Sequence, residues 1–303
     1  MKILFCSEEI SSISKKIKVR STIKFINKEN LKDIDLSDYD ALAGFGLKEL
    51  DLSGFKWIHS LGAGVDWIIN NSSLKQNTIV TRMNVGFGGQ IFEYVLSRIL
   101  METNNVLGYH ENQKKKLWNP LTLKSIHDLE FIILGTGSIG TEIAKGFKLW
   151  GCKIYGINSS GRKNNIFDTI YTMNNFPVQR SENLVIINTL PLTSETKNII
   201  NKNFLTKIES AILINVGRGQ TVNENDLVEA LKSGVISSAW LDVFQKEPLP
   251  LDSVLWNMTN VHITPHISGP TRIPDLIKCF EKTYKTIVNN EIIDNRVDIN
   301  REY

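Results

Sequence analysis

A strand-like run over 130–134 ends directly on Gly135-Thr136-Gly137-Ser138-Ile139-Gly140, and a helical pattern over 138–150 follows. No other stretch restricts the fold as much. An apolar run without alternation reads as a strand covered on both faces, as in a parallel sheet flanked by helices. The three glycines suit a tight strand-to-helix turn. Gly135 permits the turn, Gly137 lets a ligand approach the backbone, and Gly140 lets helix and strand pack closely. Such a turn offers helix N-terminal N–H groups and partial positive charge to a phosphate. Gly135, Gly137, Ser138 and Ile139 are therefore expected to hold the pyrophosphate of a dinucleotide. A plain strand-to-helix turn is the alternative.

The same alternation runs along the whole chain. Before the glycine turn, residues 2–6, 22–26, 40–43, 57–61 and 78–82 read as strands separated by turn residues such as Gly44, Gly46 and Ser53-Gly54. After it come 153–157, 184–188, 211–215, 238–242 and 261–264, with a helical pattern over 223–232. One long helix is expected from about 89 to 118, because Ile91, Tyr94, Val95, Arg98, Ile99 and Glu102 keep helical spacing. Another is expected over about 270–290. The fold class expected is α/β, with two Rossmann-like doubly wound parallel-sheet domains. Residues 1–98 plus 270–303 would form a substrate-binding domain, and 99–269 the dinucleotide-binding domain. The active site is expected in the cleft between them. A length of 303 residues suits two domains.

Charge and cysteine usage exclude several classes. The net charge is only +3, which argues against nucleic acid or a membrane surface as partner. Lys15-Lys16 and Lys114-Lys115-Lys116 read as solvated faces. Cys6, Cys152 and Cys279 are three in number and widely spaced, so neither a disulfide framework nor a zinc site is expected, and no metal. The first residues hold too short an apolar stretch for a signal peptide, and no run approaches a transmembrane helix. A reduced, cytoplasmic setting is expected.

The strand at 153–157 ends about 20 residues past the glycines, where the nicotinamide cofactors are told apart. An acid there would accept from a ribose hydroxyl and repel a 2′-phosphate. The chain instead has Asn158, then Ser159, Ser160, Gly161, Arg162 and Lys163. Two hydroxyls and two cations suit a phosphate, so NADP(H) is expected over NAD(H). Cations that merely face water are the alternative.

Three charged residues follow, each in a distinctive setting: Arg218 in Asn215-Val216-Gly217-Arg218-Gly219, Glu247 before Pro248, and His266 in Thr264-Pro265-His266-Ile267-Ser268-Gly269. With a dinucleotide turn upstream, they read as a hydride-transfer enzyme with a charged carbonyl-reducing site. A histidine titrates near neutrality and can supply the proton. Glu247 would favour its imidazolium form and fix its tautomer. Arg218 offers a rigid fork to a carboxylate and a carbonyl oxygen and would stabilise charge developing there. His59, His110, His127 and His262 read as satisfied loop residues, His59 being the one that adjoins a glycine loop. Asp242 is expected to support the cofactor; a backbone contact is the alternative.

The order of these motifs resembles the D-isomer-specific 2-hydroxyacid dehydrogenase family over nearly the whole chain. The match includes Leu61-Gly62-Ala63-Gly64-Val65-Asp66, Glu93-Tyr94, the glycine turn, Leu190-Pro191-Leu192-Thr193-Ser194-Glu195-Thr196, and the settings of the charged trio. The neutral strand end with its Ser-Ser-Gly-Arg-Lys run is similar to the glyoxylate/hydroxypyruvate reductase branch. The resemblance implies that Arg218 binds substrate, Glu247 modulates and His266 is the acid/base. It implies cofactor contacts at Leu190, Pro191, Thr196, Val216, Gly217, His266 and Gly269, and substrate contacts at the backbone of Ala63 and Gly64. Phe45 and Trp67 are candidates to shape the pocket. A small 2-keto acid substrate and a homodimer are expected, the dimer forming through the long helix, with Trp118 reaching a partner's active site. A phosphoglycerate- or D-lactate-type dehydrogenase is the first alternative. A nucleotide-sensing binding protein on the same fold is the second.

Overall fold

The computed structural model describes residues 1–303, the side chain of Arg180 excepted. In chain order its elements are β1 (Lys2–Cys6), α1 (Ile10–Ile13), β2 (Thr22–Ile26), β3 (Ala41–Gly44), β4 (Trp57–Ser60), α2 (Asp66–Ile69), β5 (Ile79–Arg82), α3 (Phe87–Thr103) and α4 (Val106–Lys114). Then come β6 (Glu130–Leu134), α5 (Ser138–Lys148), β7 (Lys153–Ile157), β8 (Thr169–Tyr171), β9 (Gln179–Asn188), α6 (Lys202–Leu205), β10 (Ile208–Asn215), α7 (Glu224–Ser233), β11 (Ile236–Leu241), β12 (Val261–Ile263) and α8 (Ile273–Val288). The chain divides into two compact units, Met1–Phe87 with Thr271–Tyr303, and Gly88–Pro270.

The first unit carries a five-stranded sheet in the order β2-β1-β3-β4-β5, every pairing parallel. This is a doubly wound order that reverses between β1 and β3. Leu4, Leu42, Ile58 and Val80 fill one side of it together with Trp67. On α8, Leu276, Cys279, Phe280, Thr283 and Tyr284 are buried, the three-and-four spacing of an apolar helical stripe. Pro274 lies in its first turn, where a missing N–H costs nothing. Phe280 stacks on Trp57 at 5.7 Å and meets Phe5 edge-on at 5.2 Å. Truncating so enclosed a ring to alanine would cost about 3–5 kcal/mol.

The second unit carries seven parallel strands in the order β12-β11-β10-β9-β6-β7-β8. The order reverses between β6 and β9, the point at which open α/β sheets bind ligands. Helix α5 turns Gly140, Ile143, Ala144 and Phe147 inward, and Phe147 stacks on Phe131 of β6 at 4.2 Å.

Several elements differ from the sequence reading, chiefly a helix and a strand. The helix expected over 89–118 is broken in two, because Asn105 adopts a left-handed conformation with φ 49° between α3 and α4. Asparagine tolerates that conformation better than most residues. Strand β8 was not anticipated: its three residues are too few to show a period. Among the described residues, no helix is long and apolar enough to cross a membrane.

Candidate active site

Two of the three glycines in the turn leave no space for a side chain. Gly135 has φ 95°, and a Cβ there would lie 2.7 Å from Thr189 Oγ1. A Cβ on Gly140 would fall 1.9 Å from Gly135 O, so helix and strand can meet only at a glycine. Gly137 is the N-cap of α5 and has no side-chain capping bond. A Cβ on it would have nothing within 4 Å, which leaves room for a ligand. The first-turn N–H groups, those of Ser138 and Ile139 among them, have no intrahelical partner. The turn is tied to the end of β9 by Thr189 Oγ1, which donates to Leu134 O at 2.9 Å. This cradle fits a pyrophosphate.

Asn158, just past β7, donates from Nδ2 to Thr136 Oγ1 at 2.9 Å and to Arg162 O at 3.2 Å. Ser160 Oγ accepts from Arg162 N at 3.2 Å. Asn158 thus folds the 159–163 loop back beside the glycine turn, with Ser159, Ser160, Arg162 and Lys163 exposed. The strand end carries no carboxylate.

Glu247 and His266 are in direct contact, with His266 Nδ1 2.8 Å from Glu247 Oε2. The other oxygen of Glu247 accepts from Phe244 N at 3.0 Å. Burial would raise the Glu247 carboxyl. The bonds from His266 and Phe244, with the charges of His266 and Arg218, outweigh it and hold the group below the usual range. An ionised Glu247 places the proton of His266 on Nδ1, so Nε2 is the nitrogen that can exchange a proton with a substrate.

The backbone of His266 is left-handed, with φ 55°, and Asp242 holds it there. Asp242 O accepts from His266 N at 2.9 Å. The Asp242 carboxylate accepts from Ile267 N and Ser268 N, both at 2.8 Å, and from Thr264 Oγ1 at 2.6 Å. Asp242 is fully buried, and these carboxylate bonds tie it to the loop that carries His266.

Arg218 follows β10 in extended conformation, and its Nη1 donates to Gly217 O at 2.8 Å. The flanking glycines are sites of close approach. A Cβ on Gly217 would lie 2.7 Å from Leu190 O, and one on Gly219 would lie 1.9 Å from Phe244 C. The loops bearing Leu190-Pro191, Arg218 and Phe244 are therefore packed backbone to backbone. In the first of them Thr196 Oγ1 donates to Pro191 O at 2.6 Å. Val216 is buried and Gly269 half-buried.

Ala63 and Gly64 belong to the first unit, the charged trio and the cofactor candidates to the second. Their loop is shaped by Ser60 Oγ, which donates to Gly64 O at 2.7 Å. Phe45 lies where a Cβ on Gly62 would sit, 2.6 Å away, and is half exposed, whereas Trp67 is buried. Trp118 is fully exposed. The four remaining histidines do not stand in loops. His59 is buried within β4, His110 lies on α4, His127 in a 3-10 turn and His262 on β12. His262 stacks on Trp240 at 4.0 Å, and burial lowers its pKa. Cys6, Cys152 and Cys279 are free and buried.

The family model for the NAD binding domain of D-isomer specific 2-hydroxyacid dehydrogenases matches residues 96–268. The chain belongs to that family. Glyoxylate/hydroxypyruvate reductase A of Escherichia fergusonii is 30% identical over 278 residues, 89% of each chain. A solved family member from Aeromonas salmonicida is 30% identical, with a TM-score of 0.86 over 98% of this chain and 99% of its own. An NADPH-dependent glyoxylate/hydroxypyruvate reductase of Sinorhizobium meliloti, solved with NADP and sulfate, is 25% identical. It has a TM-score of 0.86 over 100% of this chain and 99% of its own. The family member described here is an NAD(P)-dependent oxidoreductase with a nicotinamide cofactor site in its second unit.

Proposed function

We propose that the protein reduces small 2-keto acids of the glyoxylate and hydroxypyruvate type to D-2-hydroxy acids, with NADPH preferred over NADH. The observation that carries this reading is the 2.8 Å pair of His266 and Glu247 on a loop anchored by buried Asp242. The reduced nicotinamide, when bound, supplies the hydride. His266 Nε2 gives the proton to the carbonyl oxygen, and Glu247 stabilises the imidazolium before that transfer. Arg218 binds the carboxylate and carbonyl oxygen and offsets charge developing on the latter. The backbone of Ala63 and Gly64 takes part in holding the substrate carboxylate.

Preference for NADPH rests on Asn158, which leaves the strand end neutral, and on Ser159, Ser160, Arg162 and Lys163 exposed beside it. The protein named above that was solved with NADP supports this choice. The assembly proposed is a homodimer formed through α3, α4 and the loop after them. Val106, Leu107, Leu117, Trp118 and Leu123 there are exposed apolar side chains, more than isolated surface residues require. A monomer mass in solution at micromolar concentration would remove this assembly. The setting proposed is the cytoplasm.

The direct test is His266→Ala, assayed for hydroxypyruvate turnover and for NADPH affinity. General acid catalysis of this kind contributes about 10²–10⁴-fold, so kcat should fall by that order while the Kd for NADPH holds. Near-normal turnover would refute the assignment.

A further inference from the structure

We propose that Asn188 and Thr221 are positioning residues that lock the Arg218 loop to the cofactor loop through a single buried amide. This inference rests on the reading of Arg218 as the substrate-binding cation. Asn188 is the last residue of β9, Asn215 the last of β10, and the two are paired across the sheet. Asn188, Asn215 and Thr221 are almost completely buried.

The direction of every bond in this cluster is fixed by backbone groups. Leu190 N–H can only donate, and it bonds Asn188 at 3.2 Å, so the atom facing it is Oδ1. Gly217 N–H bonds Asn215 at 3.2 Å, which fixes that atom as Oδ1 as well. Asn188 Nδ2 therefore points away from Leu190. It gives one proton to Asn215 Oδ1 at 2.8 Å and the other to Thr221 Oγ1 at 2.7 Å. Thr221 Oγ1 passes its own proton to Arg218 O at 2.6 Å, and Thr221 N also donates there at 3.2 Å.

The acceptor end of the amide thus holds the cofactor loop, and its donor end holds both sides of the Arg218 loop. Close packing reinforces the link, since Gly217 has Leu190 backbone where its Cβ would be. A buried polar network rigidifies when fully satisfied and loosens sharply when one member is lost. The hydroxyl of Thr221 is the point where the two functions separate. Removing it takes from the carbonyl of Arg218 its shortest bond, leaving the weaker one from Thr221 N, and keeps the Asn188 bond to Leu190 in place.

The test compares Thr221→Val, of similar shape without the hydroxyl, with Thr221→Ser, which keeps it. The readouts are KM for hydroxypyruvate, Kd for NADPH and Tm, with Arg218→Ala as reference. Loss of one buried hydrogen bond changes an equilibrium by about tenfold. Thr221→Val should therefore raise KM for the keto acid about tenfold, with Kd for NADPH unchanged and Thr221→Ser close to wild type. A merely structural role would lower Tm and the active fraction, and would leave that KM where it was. If Thr221→Val does not fold, Thr221→Ala, which also lacks the hydroxyl, carries the same comparison. Wild-type KM in the valine variant, while Arg218→Ala raises it strongly, would overturn the inference. Wild-type KM in Arg218→Ala would instead overturn the reading of Arg218 on which it rests.

Discussion

In the five-stranded unit, the buried polar groups Trp57, His59 and Thr81 lie within strands β4 and β5, enclosed with the ring of Phe280. In the seven-stranded unit, Asn188 and Asn215 end β9 and β10, and Asp242 stands one residue past β11. The difference decides what each cluster can do. Mid-strand, neighbouring backbone N–H and C=O groups are largely taken by the ladder, so polar side chains turn mainly to one another, with Thr81 Oγ1 reaching Ile58 O only at 3.4 Å. Trp57 Nε1 and His59 Nδ1 accordingly both meet Thr81 Oγ1 at 2.8 Å. Among the described residues His59 Nε2 has no hydrogen-bond partner. At a strand end the following loop has N–H groups to satisfy. Asn188, Asn215 and Asp242 take those of Leu190, Gly217, Ile267 and Ser268. The first cluster belongs to the stability of its unit, the second to the placement of the site.

Substitutions can break this division. Arg218→Lys keeps the charge and loses the fork, so kcat/KM for hydroxypyruvate should fall about a hundredfold with Tm unmoved. Steady-state kinetics beside a melting curve reads both, and an equal loss of Tm would place Arg218 with the stabilising groups. A smaller effect is expected from Asn158→Asp combined with Arg162→Ala. Losing the charge-assisted contacts to a 2′-phosphate should lower the NADPH/NADH ratio of kcat/KM by about tenfold or more. An unchanged ratio would show that the 159–163 loop does not read the cofactor.

The smallest effect belongs to His59, whose pKa burial lowers from 6.5 to about 3. Its unfolded form takes up a proton near neutrality while its folded form resists, so stability is full above the unfolded value and is lost as pH falls from there towards 3. Between pH 7 and 5.5 this amounts to about 1 kcal/mol. His59→Asn keeps a hydrogen-bonding partner for Thr81 and should flatten that slope, read by urea unfolding at the two pH values, with kcat at pH 7 unchanged. A changed kcat would mean that the first unit's polar core does reach the chemistry.

Much of this was legible because buried parallel strands announce themselves. The runs at 130–134 and 153–157 correspond to β6 and β7 to the residue, each being a short apolar stretch closed by a turn. The starts of β9 and β10 were not legible. They reach back to Gln179 and Ile208 through polar residues, past a register shift between Glu209 and Ala211. The break between α3 and α4 was signalled only by Asn104-Asn105, a pair that a search for helical spacing passes over. The site showed a similar split. Glycines and the charged trio carry their chemistry in residue type, so their spacing could be read directly. Asn188 and Thr221 gave no such cue, because what they do depends on which strands lie side by side. Asp242 carried two readings, a cofactor contact or a backbone contact, and its carboxylate bonds the backbone around His266.

The central claim is tested most directly by initial rates of NADPH and NADH oxidation with glyoxylate and hydroxypyruvate, measured side by side on the unmodified protein. Rapid turnover of both acids is expected, with kcat/KM higher for NADPH. Tight NADPH binding without turnover of either acid would contradict it.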